Sequence, residues 1–397
     1  MKVYIAGVDG YLGWALAQHL VSRGHDVAGI DNYMRRDWVA EMGSQSATPI
    51  LKMTERLEAF REIHGTNLQF QRADLCDYDT VLNALKHFQP DCIVHLAEMP
   101  SAPYSMIDVN HAVFTHQNNL VGTLNVLYAM REACPDAHLL KLGTMGEYGT
   151  PNMDIPEGFF EVEFRGKKDT LPFPRQPFSM YHLTKVHDSN NIMFACRNWG
   201  ISSTDIMQGV VFGTRLDAMG DDERLLTRFD FDQAFGTAIN RFCSQAAIGL
   251  PITPYGKGGQ RRGFLPLRDS IQCFTLAMEN PPKKGEYRVF NQFEETYHIY
   301  DLANKVQKVA QSMGLDAEIT HLENPRHESE QHYFNPDHQK LLDLGYEPTR
   351  DMEAEIEATL KDLLKYQNRI EARKEALIPD IRWDGKRQKS SYIKSND

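Results

Sequence analysis

A tyrosine and a lysine four positions apart have the types and spacing that most directly suggest chemistry. Tyr181 and Lys185 lie on one face of this segment if it is helical, so the ammonium can sit beside the phenol. A neighbouring lysine and a cationic nicotinamide would both favour the phenolate, which could then act as a base. Thr144, which follows the apolar run 139–142, could share the proton of a substrate hydroxyl. The pattern predicts a redox site, with an ordinary surface helix as the alternative.

A glycine-rich turn near the start of the chain predicts where a dinucleotide binds. Gly7, Gly10 and Gly13 follow the apolar run 3–6 and precede apolar residues at helical spacing. Such glycines permit a tight turn, a close approach of the backbone to a pyrophosphate, and close packing of the helix on the strand. Asp31 ends the next apolar run, at the offset expected for a carboxylate that hydrogen-bonds the ribose hydroxyls.

Charged residues at and after the end of the second apolar run affect the choice between NAD and NADP. Asp31 would repel a 2′-phosphate, so NAD is favoured over NADP. Arg35 and Arg36 follow closely and leave NADP open. In a doubly wound sheet, the pairs 74–75 and 97–98 would also end near the cofactor, although each could equally be a helix cap or a hydrogen-bonded core group.

The alternation of strand and helix patterns predicts an α/β fold. We expect a Rossmann-type doubly wound, mostly parallel sheet with a smaller α/β substrate-binding C-terminal lobe. The predicted boundaries are 1–207 for the NAD-binding domain and 208–397 for the substrate-binding domain, with segments such as 230–250 returning to the first. The connection 33–65 either covers the site or forms a surface helix. The tail beyond Arg382 is expected to be loosely held.

Composition excludes several classes of protein. A formal net charge of -11 and a pI near 5.8 argue against a nucleic-acid partner. The six cysteines show no spacing typical of a metal site or a disulfide framework. No apolar run is long enough for a membrane span, and none near the start resembles a signal segment. The sequence therefore predicts a cytoplasmic protein with no metal, and a small-molecule partner.

Two arginines in the second half could bind phosphate. Arg262 lies in the glycine-rich turn 256–263, and Arg326 in the segment 324–328. Guanidinium groups match diphosphate oxygens in a bidentate way, so the two could clamp a nucleotide diphosphate. An exposed salt bridge is the alternative for each.

These motifs together resemble the extended short-chain dehydrogenase/reductases that act on nucleotide sugars. The glycine turn, Thr144, the Tyr181 and Lys185 pair and the segment 260–262 fall in that family's order. The segments 101–108, 142–151, 185–188 and 255–260 resemble the branch that converts UDP-glucose and sulfite to a sulfonated UDP-sugar. The resemblance implies NAD as cofactor, a UDP-sugar and sulfite as substrates, and a homodimer formed by the helices 114–130 and 181–198.

The resemblance also implies a mechanism. Tyr181 would take the proton of the sugar 4-hydroxyl through Thr144, and the resulting 4-ketone would permit loss of water across C5 and C6 before sulfite adds at C6. Sugar 4,6-dehydratases of this family carry an Asp-Glu pair after the threonine, where this chain has Met145 and Gly146. Glu147 and His182 are then the candidates for acid and base, with a polar loop contact and a core histidine as their respective alternatives.

One departure from that branch affects the sulfonation step. The chain has Met99 and Pro100 where the branch usually has Gln-Arg, and proline cannot bind an anion as arginine does. Arg241, Arg261 or His182 could supply charge instead. An NAD-dependent nucleotide-sugar 4-epimerase or dehydratase without sulfonation is therefore the alternative function, and a catalytically idle NAD-binding protein is a third.

The resemblance extends the set of candidate site residues. The catalytic candidates are Thr144, Met145, Glu147, Tyr181, His182 and Lys185. The cofactor-binding candidates are Gly7, Asp9, Gly10, Tyr11, Leu12, Gly13, Asp31, Asn32, Arg35, Arg36, Asp74, Leu75, Leu96, Ala97, Glu98, Asn118, Tyr181, Lys185, Gln208 and Val211. The substrate-binding candidates are Ser101, Tyr104, Thr144, Gln208, Arg241, Thr253, Tyr255, Gln260, Arg262, Arg326 and Glu328.

Overall fold

The computed structural model describes residues 1–329 and 331–393. Its strands in the described part are β1 (Lys2–Ala6), β2 (Asp26–Asp31), β3 (Gln69–Arg72), β4 (Cys92–His95), β5 (His138–Thr144), β6 (Phe159–Phe164), β7 (Lys167–Pro172), β8 (Ser202–Gln208), β9 (Val210–Phe212), β10 (Arg261–Pro266), β11 (Tyr287–Gln292) and β12 (Glu295–His298). Seven of these described strands form one parallel sheet in the order β11-β8-β5-β4-β1-β2-β3.

The α-helices of the described chain alternate with these strands. They are α1 (Tyr11–Ser22), α2 (Met34–Glu41), α3 (Met53–His64), α4 (Tyr78–Phe88), α5 (Val109–His116), α6 (Gly122–Ala133), α7 (Met180–Trp199), α8 (Ala238–Ala247), α9 (Leu267–Glu279), α10 (Ile299–Ser312), α11 (Gln339–Asp343), α12 (Met352–Leu364) and α13 (Gln367–Glu371). The predicted α/β fold with a doubly wound parallel sheet is confirmed.

The central sheet is covered on both faces because its strands bury side chains on alternate sides. In β1, Val3 and Ile5 pack on one face of the sheet with α1, α3 and α9, while Tyr4 and Ala6 pack on the other face with α4, α6 and α7. Such double burial explains why β1, β4 and β5 carry nearly continuous apolar runs.

A second core lies outside this sheet. It joins β9 and β10, which pair in parallel, with α8, α10 and α12, around side chains such as Phe212, Phe242 and Phe264. The chain then returns to the central sheet, where β11 pairs with β8 and α9 packs against α1. The segment 228–235 contacts the connection after β2, whereas α8 belongs to the second core. The boundary at residue 207 stays a prediction.

The helix predicted over 114–130 has different bounds and an interruption. It begins at Val109 and continues to Ala133, and the five residues Gln117–Val121 form a π-helical turn between α5 and α6. Such turns are frequent at functional sites because they rotate side chains out of the regular helical order.

Two segments of uncertain role in the sequence pack on the body of the protein. The connection after β2 contains α2 and α3, and α3 packs on α1 through Met53 and Phe60. The expectation of a loosely held tail is wrong for the described residues up to 393. Trp383 donates a backbone hydrogen bond to Pro325, and Tyr392 forms a bridge with Leu322.

No helix among residues 1–329 and 331–393 combines the length and the apolar character required to cross a bilayer.

The contact between the glycine turn and α1 predicts that alanine substitution at two helical glycines changes the free energy of unfolding differently. A Cβ at Gly13 would lie 2.1 Å from the Gly7 carbonyl oxygen, whereas a Cβ at Gly122 would meet Leu75 Cβ at 3.4 Å. Gly13→Ala should lower the free energy of unfolding by about 1–3 kcal/mol. Gly122→Ala should leave it unchanged or raise it by up to about 1 kcal/mol, since alanine favours helix. Urea unfolding without NAD measures both, and equal stability of the two variants would contradict the contact.

Candidate functional site

A cavity of about 490 Å³ opens at the carboxyl ends of the central strands. Gly7 follows β1, Asp31 ends β2, Thr144 ends β5 and Gln208 ends β8, and all four residues line it. This is the crevice where doubly wound sheets bind ligands, because strands on either side of β1 lead away in opposite directions. Residues of α8 also line the cavity, among them Arg241.

The glycine turn is shaped to let a ligand approach the start of α1. Gly7 has a φ of +90°, and a Cβ there would lie 2.9 Å from the backbone nitrogen of Ala97. Gly10 to Gly13 line the cavity at the N-terminus of α1. Free N–H groups and the helix dipole favour a phosphate at such a position. These residues therefore fit the pyrophosphate of a dinucleotide.

Asp31 lies at the expected place for the ribose. Its Oδ1 accepts a hydrogen bond from Tyr33 N at 2.7 Å, and its Oδ2 accepts one from Asp9 N at 2.9 Å. Burial, followed by the nearby Asp9 carboxylate, raises the pKa of Asp31 to about 6. The backbone bonds fix the carboxylate, whose remaining lone pairs can accept from hydroxyls.

The two arginines that left NADP open are both paired with carboxylates. Arg36 makes a fork onto Asp9, with distances of 2.7 and 2.8 Å, and Arg35 binds Asp230 at 2.7 Å. Arg36 does not line the cavity, and neither does Asp9. The surroundings of Asp31 thus suit an unphosphorylated ribose.

The tyrosine and the lysine lie on one face of α7, as their spacing predicted. Lys185 Nζ is 5.9 Å from the ring centroid of Tyr181. This ammonium donates to the Leu142 carbonyl at 2.6 Å and pairs with Glu98 at 2.7 Å. Burial, followed by the charge of Glu98, raises the pKa of Tyr181 above its usual value. The lysine alone therefore does not yield a phenolate, and a cation placed in the cavity would favour it.

Glu147 lies away from the cavity, in a network of buried charges. Its side chain is fully buried and does not line the cavity. Arg175 donates to Oε2 at 2.6 Å, Ser189 donates to the same oxygen at 3.1 Å, and Lys141 pairs with Oε1 at 3.4 Å. The carboxylate is thus enclosed in an ion network behind α7, and its role as acid or base stays a prediction.

His182 does line the cavity, and the glycine at position 146 explains how. A Cβ on Gly146 would lie 2.3 Å from His182 Nε2, so the imidazole fills the space of the missing side chain. Its Nδ1 shares a hydrogen bond with Ser179 Oγ at 2.9 Å. Burial, and then the charges of Arg326 and Arg262, lower the pKa of His182 to about 3. The ring is therefore neutral, and its basicity in this environment is low.

Three arginines lie at the second-lobe side of the cavity. Arg241 is buried, stacks on Tyr255 with its Cζ 4.1 Å from the ring centroid, and donates to Thr253 Oγ1 at 3.1 Å. Arg262 pairs with Glu328. Arg326 lies over Trp383, at 5.5 Å, with no carboxylate within ion-pair distance among the described residues. This group can bind a second diphosphate.

Most of the predicted site residues meet at this cavity. Those that line it are Gly7, Gly10, Tyr11, Leu12, Gly13, Asp31, Asn32, Arg35, Asp74, Leu75, Leu96, Ala97, Glu98, Ser101, Asn118, Thr144, Met145, Tyr181, His182, Gln208, Val211, Arg241, Tyr255, Gln260, Arg262, Arg326 and Glu328. Those that do not are Asp9, Arg36, Tyr104, Glu147, Lys185 and Thr253. Tyr104 instead donates to Glu41 at 2.7 Å. Their individual roles stay predictions.

Several lining residues had no sequence signal. They include Trp38 in α2, Arg228 and Asp230 before α8, and Trp383 in the tail. Each reaches the cavity through a segment that is distant in sequence. The alternation of charge in 228–232 is the only local pattern that singles out any of them.

The parallel sheet, the glycine turn and the cavity define a Rossmann-type dinucleotide-binding enzyme. The chain belongs to the NAD dependent epimerase/dehydratase family, whose model matches residues 3–291. Its cofactor is NAD.

Two curated relatives are similar over almost the whole chain. The chain is 47% identical over 382 residues to the chloroplastic UDP-sulfoquinovose synthase of Spinacia oleracea, covering 96% of this chain and 79% of that protein. It is also 47% identical over 395 residues to the UDP-sulfoquinovose synthase of Sulfolobus acidocaldarius, covering 99% of each.

Solved structures show the same fold at lower identity. UDP-glucose 4-epimerase of Thermotoga maritima with UDP-glucose has a TM-score of 0.69 and 18% identity, covering 92% of this chain and 99% of that one. UDP-glucuronic acid 4-epimerase of Bacillus cereus with UDP-glucuronic acid and NAD has a TM-score of 0.69 and 22% identity over the same shares.

The raised pKa of Asp31 predicts that NAD affinity falls in acid. The carboxylate accepts ribose hydroxyls more strongly than the protonated acid does, so affinity is present above the pKa and is lost as the pH falls through about 6. Between about pH 8 and pH 5 the Kd for NAD, measured by protein fluorescence, should rise roughly tenfold. Asp31→Asn should bind weakly at every pH with a flat profile. A pH-independent Kd in the unchanged protein would contradict this role.

Proposed function

We propose that the protein converts UDP-glucose and sulfite to UDP-sulfoquinovose in an NAD-dependent reaction. The observation that carries the proposal is the 47% identity to two UDP-sulfoquinovose synthases, one of them matched over 99% of both chains. Support comes from the cavity, which is lined by Thr144, Tyr181 and His182 together with two separate groups of arginines.

The arginines of the second lobe hold the nucleotide sugar by its diphosphate. Arg241, Arg262 and Arg326 line one part of the cavity. Burial lowers the pKa of His182 most, and the charges of Arg326 and Arg262 lower it further. Binding of a diphosphate would neutralise these charges and so raise the basicity of the imidazole. Substrate binding and proton transfer are thereby coupled.

Tyr181 and Thr144 act at the sugar 4-hydroxyl. NAD, when bound, supplies the acceptor for the hydride of C4 and returns that hydride at the end of the cycle. Tyr181 takes the hydroxyl proton, directly or through Thr144, and Lys185 remains fixed by Glu98 and the Leu142 carbonyl. The 4-ketone makes the C5 proton acidic, and His182 accepts this proton and passes it to the C6 hydroxyl, which leaves as water. The sulfur of hydrogen sulfite then forms a bond to C6 of the alkene, and the proton of hydrogen sulfite goes to C5. Tyr181 returns its proton to O4 when the ketone is reduced.

An epimerase or dehydratase without sulfonation is the second candidate. Pro100 lines the cavity at the position where the synthase branch usually carries arginine. Proline offers neither charge nor an N–H donor. A ketone, an alkene or an epimer formed without sulfite would favour this candidate. The retained Thr144, Tyr181 and Lys185 argue against an idle protein.

A homodimer is part of the same proposal. Val113, Val121, Leu124 and Tyr128 on the helices of residues 109–133 and Phe194 on α7 are exposed apolar side chains. An exposed apolar surface on a helix pair is suited to an isologous two-fold contact.

The reaction itself is the first test. Purified protein with NAD, UDP-glucose and sulfite should yield a sulfonated nucleotide sugar by mass spectrometry. Tyr181→Phe should lower turnover by about 10²–10⁴-fold, because the variant lacks the phenol that takes the hydroxyl proton. NAD binding should persist.

The matched control is Tyr78→Phe, which removes an exposed hydroxyl that donates to Glu132. It should turn over normally. Recovery of UDP-glucose unchanged, with NAD bound and sulfite present at several pH values, would argue against the proposal.

The packing of His182 against Gly146 predicts a second loss of turnover. In Gly146→Ala the imidazole must move away from the new methyl group, whose carbon would lie 2.3 Å from Nε2. A misplaced proton acceptor should lower kcat by roughly 10²-fold. His182→Asn should give a similar loss, and the Kd for NAD should change by less than about twofold in both. Full activity of Gly146→Ala would exclude His182 as the base.

A further inference from the structure

Two arginines share one carboxylate where the second lobe meets the cavity. Arg228 donates to both oxygens of Asp230 at 3.0 Å, and Arg35 donates Nε and Nη2 to Oδ2 at 3.0 and 2.7 Å. Asp230 is almost fully buried. Because one carboxylate lies between two guanidinium groups, these three side chains together carry a positive charge of one. We refer to them as the arginine pair and its carboxylate.

The segment that carries Arg228 is tied directly to the glycine turn and α1. Thr227 Oγ1 donates to the Tyr11 carbonyl at 2.6 Å, and Trp14 Nε1 donates to the Leu225 carbonyl at 2.9 Å. Arg228 also acts on the carboxyl of Asp31, since its charge is among those that lower that pKa. The arginine pair is therefore held near the start of α1, at the phosphate-binding end of the cavity.

Each arginine of the pair has a donor that the protein leaves unused. Arg228 is 3% exposed and lines the cavity, and its Nη1 has no hydrogen-bond partner among the described residues. The same holds for Nη1 of Arg35 in the described chain. A buried guanidinium N–H without an acceptor is costly, so such donors point to a ligand. Phosphate oxygens are the acceptors that guanidinium groups match best.

We propose that Arg228 and Arg35, oriented by Asp230, bind the diphosphate of NAD, so that the segment 225–230 encloses the cofactor. The two unused N–H donors would bind the same diphosphate that lies at the N-terminus of α1. The arginines of the second-lobe group, Arg241, Arg262 and Arg326, remain for the nucleotide sugar. Release of NAD then requires this segment to move, and dissociation is slow. The inference rests on NAD as cofactor and not on the sulfonation reaction.

Comparing NAD with adenosine distinguishes a role of Arg228 in binding the diphosphate from a role in stabilising the fold. In Arg228→Gln the Kd for NAD should rise by about 10- to 100-fold, and the dissociation rate should rise with it, as expected for a lost charge-assisted bond. Adenosine keeps the base and ribose but lacks the diphosphate, so its Kd should change by less than about twofold. Calorimetry gives the affinities, and stopped-flow fluorescence gives the rate.

Arg224→Gln is the matched control in the same stretch. Arg224 is exposed and pairs with Asp222 and Glu62. Both ligands should bind it as they bind the unchanged protein. Arg228→Lys keeps the charge but cannot fork onto Asp230, and it should recover part of the NAD affinity.

Two results would overturn the inference. One is an NAD affinity within about twofold of normal in Arg228→Gln. The other is an equal loss for NAD and adenosine, which would show a purely structural role. If Arg228→Gln does not fold, the same comparison in Arg35→Gln decides, because this residue lies on α2 and offers the second unused donor. The binding test uses no sulfite and no nucleotide sugar, so its failure and the failure of the sulfonation test can be distinguished.

Discussion

The contact between the glycine turn and its own helix is the constraint on which the site depends. Gly13 lies so close to the Gly7 carbonyl that no side chain fits, and a Cβ on Gly7 would lie 2.9 Å from the Ala97 nitrogen after β4. These contacts fix the start of α1 against β1 and β4 at once. Asp9, in the middle of the turn, is held by Arg36 and by the fully buried Arg56, which stacks on Trp14. The phosphate end of the cavity is therefore rigid before any ligand binds.

Behind the redox residues, buried charges hold α7 in place. Lys141 is fully buried and donates to the carbonyl of Lys185 at 3.3 Å and to Ser189 at 3.1 Å. Burial alone would lower the pKa of Lys141, but Asp205 and Glu147 outweigh it and keep the ammonium charged. Removing one partner would leave an uncompensated buried charge, which costs several kcal/mol, about 3–5. The network thus fixes the backbone from which Tyr181 and Lys185 project.

The parts of this site that could be predicted from sequence are those with a local signature. The glycine spacing, Asp31 after β2, and the four-residue spacing of Tyr181 and Lys185 each specify a geometry within one turn or one strand end. The enclosure of Glu147 could not be predicted, because its neighbours in space, Lys141 and Arg175, come from other elements. Proximity in sequence to Thr144 gave no information on which way the chain turns.

Residues contributed by distant segments had no such signature. Arg228 reaches the glycine turn across more than 200 residues of chain, through the hydrogen bond of its neighbour Thr227 to Tyr11. Trp383 reaches Arg326 from the tail. The return of β11 to the central sheet likewise follows from pairing with β8, which no periodicity within 287–292 indicates. Long-range pairing of this kind is set by the packing of the whole fold.

The charges that line the cavity nearly balance, so their arrangement decides what binds. Among the described lining residues there are five arginines, Arg35, Arg228, Arg241, Arg262 and Arg326, and five acids, Asp31, Asp74, Glu98, Asp230 and Glu328. A protein with a formal net charge of -11 does not attract anionic ligands by its overall field. Two anionic ligands fit because the arginines form two groups, one beside the start of α1 and one beside Tyr255. Asp31 makes no ion pair with either group among the described residues and is available to hydroxyls. Selectivity for a third anion must then arise from the local surroundings of Pro100 and His182, where neither side chain carries a charge.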